Sequence, residues 1–284
     1  MVERQVSRIL PTEQKLEGGG FPVRRPFPIV GMSHIDPFLL LDEMGPVDWA
    51  PHAAIGAPEH PHRGFETVTY VLQGEMEHRD SSGNFGKLSP GDVQWMTAGS
   101  GIIHSELPSD EFLRTGGVMH GFQLWVNLPA KDKMMVPRYQ DIHSSDIPEV
   151  DSDDGLVQAR VIAGQCMGVS AVIDTVIPIT YLHLTFKRGA EMRQNIDAGQ
   201  NCVLYCFSGT IKVDEVEICD GEMAVLSDGD EVVITHSGEG VAEFLLLSGE
   251  PTNESVSRYG PFVMNTQREI MQAINDFQNG TLVA

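Results

Sequence analysis

A chain of 284 residues is long enough for one large domain or two modest ones, each with its own core. Hydrophobic residues make up 41% and charged residues 21%, which argues against both disorder and a coiled coil. Asp and Glu number 40 against 19 Lys and Arg, a formal charge of −21, and no Lys/Arg cluster offsets it, so direct nucleic-acid binding is not expected.

In chain order, the opening MVERQVSRIL lacks the uninterrupted apolar run of a secretion signal. No later stretch reaches the roughly 18 apolar residues that a membrane span needs. The expectation is a cytoplasmic protein with no membrane partner. Thr67–Leu72 is β-branched and aromatic, Gln73-Gly74-Glu75 turns it, and 76–79 follows as a second strand. Leu88-Ser-Pro-Gly-Asp92 is a turn leading into a strand over 93–96. The segments 118–126, 158–163, 169–177, 181–186, 203–207, 210–213, 223–226, 231–235 and 241–247 read the same way. Many short strands at this spacing predict an all-β barrel or sandwich. Helical spacing emerges only at the end. Thr266-Gln-Arg-Glu269 has the form of a capping box, and Ile270, Met271, Ile274 and Phe277 follow until Gly280. Four cysteines, Cys166, Cys202, Cys206 and Cys219, form no C-x-x-C pair and read as reduced core thiols.

The halves also resemble each other. Tyr70-Val-Leu-Gln-Gly74 matches Tyr205-Cys-Phe-Ser-Gly209, with the glycines 135 residues apart. Pro90-Gly91-Asp92 matches Asp220-Gly221-Glu222 at a spacing of 130. A strand, a glycine turn and a strand, present twice, indicate a duplicated β-domain. The expected division is 1–142, 143–265 and a terminal helix over 266–284, with the polar stretch near 140–155 as connector.

The chemistry is concentrated in two stretches of the first copy. In His60-Pro61-His62 the imidazoles are two residues apart, so on a strand they share one face. Pro61 cannot donate to a ladder and places the pair at a strand start or edge. His104-Ser105-Glu106 follows a Gly-rich turn and repeats the two-residue spacing. Two such pairs facing one barrel interior give three neutral imidazoles and one carboxylate, a set that suits a divalent first-row metal and leaves positions for substrate. The other seven histidines, His34, His52, His78, His120, His143, His183 and His236, read as ordinary surface or core residues.

HPHRGFETVTYVLQGEMEHRDSSGN, SPGDVQWMTAGSGIIHSE and the late GPFVMNT, with Phe38–Asp42 upstream, resemble the pirin family of the cupin superfamily. The resemblance implies two tandem cupin barrels, the first binding iron through three histidines and one glutamate. Carried across residue by residue, these are His60, His62, His104 and Glu106. Glu66 is the rival carboxylate, because general cupins use H-x-H-x₃-E; here it is expected to bond a ligating imidazole instead. The same spacings carry the four positions onto Asn195, Asp197, Ile234 and His236, so the second barrel is expected to be structural.

The resemblance further implies a dioxygenase acting on flavonol- or quercetin-like polyphenols. Iron(II) is the expected metal, with manganese, nickel, cobalt, copper and zinc also accepted by such a set. Glu106 would accept the substrate hydroxyl proton. Phe65, Trp95, Met96, Ile102, Phe122 and Trp125 are candidates for a flat aromatic pocket, though individually they read first as barrel core. The alternative is a metal- or redox-dependent regulator that binds a transcription factor or enzyme partner without turnover. A monomer is expected in either case.

Overall fold

The computed structural model describes residues 1–283. They form antiparallel sheets with two α-helices, Asp110–Thr115 and Gln267–Gln278. The fold class is the expected one: all-β, two cupin barrels and a short C-terminal helix. The chain divides into two compact units, one of residues 14–28, 38–144 and 252–283, the other of 1–13, 29–37 and 145–251.

The first unit contains the strands of the histidine motifs. Its large sheet runs in the order Arg138–Ile142, Val93–Thr97, Phe65–Gln73, Gly117–Asn127, Phe38–Trp49, Phe21–Phe27 and Glu13–Glu17. Its smaller sheet runs Ala57–His62, Ile102–Pro108, Met76–Asp80 and Phe85–Leu88. Ala57–His62 is therefore an edge strand, as Pro61 requires.

In the second unit the large sheet is Val6–Pro11, Glu222–Leu226, Asn201–Ser208, Val241–Gly249, Ile179–Lys187, Val157–Ala163 and Glu149–Asp151. The small one is Glu191–Asn195, Glu231–Thr235, Thr210–Val213 and Val216–Cys219. Apart from the edge strands Arg138–Ile142 and Val6–Pro11, which come from opposite ends of the two copies, the orders correspond strand for strand, which is the duplication seen in the sequence. Gly74 and Gly209 take the same positive φ, 85° and 77°, at the same hairpin.

The units are not contiguous in sequence, unlike the division at 142/143 and 265/266. Val6–Pro11 pairs with Glu222–Leu226 and supplies an edge strand to the second barrel. Residues 252–265 belong with the first barrel, as does the final helix. The helix is capped as expected, with Thr266 and Glu269 bonding each other's backbone. It buries Ile270 and Ala273 in a cluster with Phe262, Met264 and Leu282, whereas Met271 and Phe277 face solvent. Replacing Thr266 by alanine is expected to lower stability by about 1 kcal/mol, measured by denaturant unfolding.

Three local expectations are corrected. Of 169–177 only Val169–Ser170 is strand, in a two-residue pairing with Gln165–Cys166. Asp110–Thr115 is a helix that alternation could not reveal, capped by Ser109 accepting from the Phe112 N–H. Cys166, Cys202 and Cys206 are buried, with burial pushing their thiols up to about 11, 12 and 12, but Cys219 is exposed.

The interiors differ. The second barrel is filled by one apolar cluster that includes Leu182, Leu184, Phe186, Phe244 and Leu246. The first buries His62, Thr69, Gln94, His104 and Glu106 among its core residues. The second barrel also buries polar groups, among them Gln194 and His236, but these bond backbone carbonyls, whereas His62 and Glu106 of the first line one cavity.

Candidate metal centre

Strand pairing sets the geometry. His104 stands directly opposite His60, and Ile102 opposite His62, on the antiparallel pair Ala57–His62 and Ile102–Pro108. The register then slips, so that Glu106 opposes Ala57 instead of Pro58. The slip lies in the outer strand, because the inner neighbour Met76–Asp80 keeps a continuous register past His104 and Glu106.

The three imidazoles converge. One ring nitrogen of each of His60, His62 and His104 lies within 4.8 Å of the others. Ring centroids are 4.4 Å apart for His60–His104, 4.7 Å for His60–His62 and 4.9 Å for His62–His104. The Nδ1 atoms face outward to fixed partners. His60 Nδ1 donates to the Pro58 carbonyl at 2.7 Å, and His62 Nδ1 faces the Pro261 carbonyl at 3.4 Å. His104 Nδ1 lies 3.0 Å from His78 Nε2. Nε2 is thereby left as the inward atom of each ring. His104 Nε2 is buried without a hydrogen-bond partner, which costs free energy in a folded protein unless something else fills the position. Three imidazole nitrogens gathered within 4.8 Å of one another fit a divalent first-row metal.

Glu106 lies in the same cavity but outside the trio's radius. Its Oε1 accepts from Thr69 Oγ1 at 2.7 Å, and that hydroxyl also lies 3.1 Å from Gln123 Oε1. Glu66 is on the neighbouring large sheet, where it accepts from Thr97 Oγ1 at 2.7 Å. It bonds none of the three imidazoles, so the supporting role expected of it falls to Pro58, Pro261 and His78. His78, read from the sequence as an ordinary histidine, is the support that sequence reasoning missed. It is buried against Tyr139, whose hydroxyl lies 3.4 Å from His78 Nε2. Its only sequence signal is the strand expected over 76–79, which puts His78 on the Met76 face.

The cavity measures about 390 Å³ and is walled by Phe21, Leu40, Met44, Met76 and Trp125, with Gln123 and Arg258 as polar members. Of the six apolar candidates only Trp125 reaches it. Phe65, Trp95, Met96, Ile102 and Phe122 are core, at most 1% exposed. Their alternation is real, but the interior positions farther from the mouth are sealed by packing.

Among the described residues the second barrel has no such cluster. By strand position His60 and His62 correspond to Met192 and Gln194, not Asn195 and Asp197, since the pairing Met192–Ile234 repeats His60–His104. Ile234 is buried in the apolar cluster. His236 turns Nδ1 to the Thr210 carbonyl at 2.7 Å and Nε2 to that of Gly240 at 3.4 Å.

Burial, and then the charge of neighbouring histidines, holds His62 and His104 well below the ordinary imidazole range. The unfolded chain therefore takes up protons that the fold refuses. The stability contributed here is complete above pH ~6.5 and falls as pH drops below it. At pH 5.5 the loss is about 1 kcal/mol for each ring in the metal-free protein. Thermal melts of metal-free wild type and of His62→Gln/His104→Gln between pH 7.5 and 5.5 check this: the wild type should lose stability more steeply.

Residues 20–126 match the family model described as Pirin, and residues 181–283 the Pirin C-terminal cupin domain. The chain is 44% identical over 268 residues to "Putative quercetin 2,3-dioxygenase PA2418" of Pseudomonas aeruginosa, covering 94% of this chain and 93% of that protein. It is 41% identical over 281 residues to Pirin of Homo sapiens, covering 97% and 93%. A crystal structure of quercetin 2,3-dioxygenase from Acinetobacter baumannii superposes with a TM-score of 0.92 at 38% identity, covering 99% of each chain. No helix among the described residues is long and apolar enough to cross a membrane.

Proposed function

Since the chain belongs to the pirin family, we propose that it is a metal-dependent dioxygenase acting on flavonol-like polyphenols, with His60, His62, His104 and Glu106 holding one divalent ion, iron(II) by preference. The observation that carries this reading is the buried, unpartnered Nε2 of His104 facing two more imidazoles at the edge of an open cavity. A bound divalent ion supplies Lewis acidity toward a substrate hydroxyl and, if iron, redox access to dioxygen.

The protein's own groups do the rest. His62 and His104 stay neutral because protonation is disfavoured in their buried setting, and outward bonds at Nδ1 fix the ring orientations. Glu106 is the anionic group at the site able to accept the hydroxyl proton of a bound polyphenol. Thr69 holds Oε1 of that carboxylate and so fixes where its second oxygen stands relative to the histidines. Leu40, Met44, Met76 and Trp125 offer an apolar wall against which a flat ring can lie while water is excluded.

The test is to load the protein anaerobically with Fe(II), add quercetin, admit air, and follow loss of the visible absorbance together with carbon monoxide release. Turnover that His62→Ala reduces by more than about 100-fold is expected, because the ligand set would lose an imidazole. Absence of turnover on a panel of flavonols and catechols, with iron bound stoichiometrically, would overturn the enzymatic reading in favour of a partner-binding regulator.

A further inference from the structure

Arg258 enters the same cavity from the strand Ser257–Tyr259. Its guanidinium lies over the Trp125 indole, 4.6 Å from the ring centroid, and Nη1 donates to the Leu39 carbonyl at 3.4 Å. Trp125 is held in turn against His62, with centroids 5.3 Å apart, and against Phe65 at 4.4 Å. The cation is thus fixed beside the imidazoles.

The charged groups around it are already engaged elsewhere. Arg25 takes Asp42 in a two-pronged bond at 2.7 and 2.6 Å and takes Glu17 at 2.5 Å. Glu106 is held by Thr69, and Glu59 is exposed at the cavity wall. Among the described residues no carboxylate stands within ion-pair distance of Arg258. Burial, followed by the charge of Arg25, lowers its pKa from the ordinary guanidinium value, so the unpaired charge is held at a cost. A guanidinium stacked on an aromatic face keeps its in-plane N–H fork free for a bidentate anion.

Resting on the metal-site reading above, we infer that Arg258 is a specificity residue. It recognises an anionic oxygen group, a carboxylate or an ionised phenol, on a planar substrate whose other oxygens lie at the three histidines. Arg258 then pairs with the far end of the substrate while Trp125, beneath the guanidinium, packs against the ring. The preferred substrates are aromatic acids and acidic polyphenols, ahead of their uncharged analogues.

The test uses the iron-loaded, air-oxidised protein and two probes, catechol and 3,4-dihydroxybenzoate, titrated through the visible band that a catechol gives on ferric iron. The readout is the ratio of the two dissociation constants in wild type, Arg258→Gln and Arg258→Lys, with iron content measured for each. The ratio should favour the carboxylated probe by about tenfold more in wild type than in Arg258→Gln, the effect of one charge-assisted hydrogen bond pair partly open to water. Arg258→Lys should retain part of the preference, and catechol affinity should stay level across all three. An unchanged ratio in Arg258→Gln, with catechol still binding, overturns this inference and leaves the metal-site reading standing. If neither probe gives a band on iron-replete wild type, the metal-site reading fails and takes this inference with it.

Discussion

Replacing His104 by alanine is expected to lower metal affinity by at least about 100-fold, because even the outer partners of metal-bound histidines are worth about 10- to 100-fold each. His104 is the ring opposed to His60 across the strand pair, and its Nε2 has no other partner in the fold. His78→Phe, which keeps a buried ring of similar size, should cost about 10- to 100-fold by removing only the orienting contact at His104 Nδ1. Competitive chelator titration of both variants gives the two values on one scale. No loss in His78→Phe would mean that His78 matters through packing alone. Metal-free His104→Ala should also fold normally, since the substitution removes an unpartnered buried polar atom.

The second large effect is on the backbone. Gly64→Ala is expected to destabilise the protein by about 3 kcal/mol or more and to weaken metal binding with it. Gly64 sits at φ 90°, between the strand that ends at His62 and the strand that begins at Phe65. A Cβ there would overlap the Val263 carbonyl oxygen and press on Met264 Sδ at 2.7 Å. The turn is fastened on both sides, its N–H to the Gly99 carbonyl at 2.9 Å and its own carbonyl to Lys133 Nζ at 2.8 Å. Residues 262–264 cannot move away cheaply, because the chain just before them also presents the Pro261 carbonyl to His62. Gly83→Ala is the control: φ is 85° and the space around it is open, so only the backbone cost of about 1 kcal/mol applies. Urea unfolding of the two variants separates clash from conformation, and similar losses in both would remove Val263 from the account.

The site was legible where its signal was local. Two-residue spacing on strands brings His60 and His62 to one face, and the same rule applies to His104 and Glu106. The structure gathers the three imidazoles, while Glu106 stops on Thr69. Its position depends on a register slip in the partner strand and on a hydroxyl 37 residues away, neither of which alternation encodes. The unread partners share that character. Pro261 lies 199 residues from the ring it supports, and Arg258 reaches the cavity from a segment that returns to the first barrel after the second is complete. Likewise Val6–Pro11 carries no sign that it will pair more than two hundred residues onward. The terminal helix was readable because its capping box is local, but which side of it would be buried was not. Ala273 packs inward and Phe277 faces out.

The most direct measurement is an anomalous-difference map from crystals of the protein grown with Fe(II). One ion is expected per chain, about 2.0–2.2 Å from nitrogen atoms of His60, His62 and His104, with an oxygen of the Glu106 carboxylate also on it. An ion held by Glu66, an ion outside the first barrel, or a bound ion with neither Glu106 oxygen on it would contradict the four-residue ligand set.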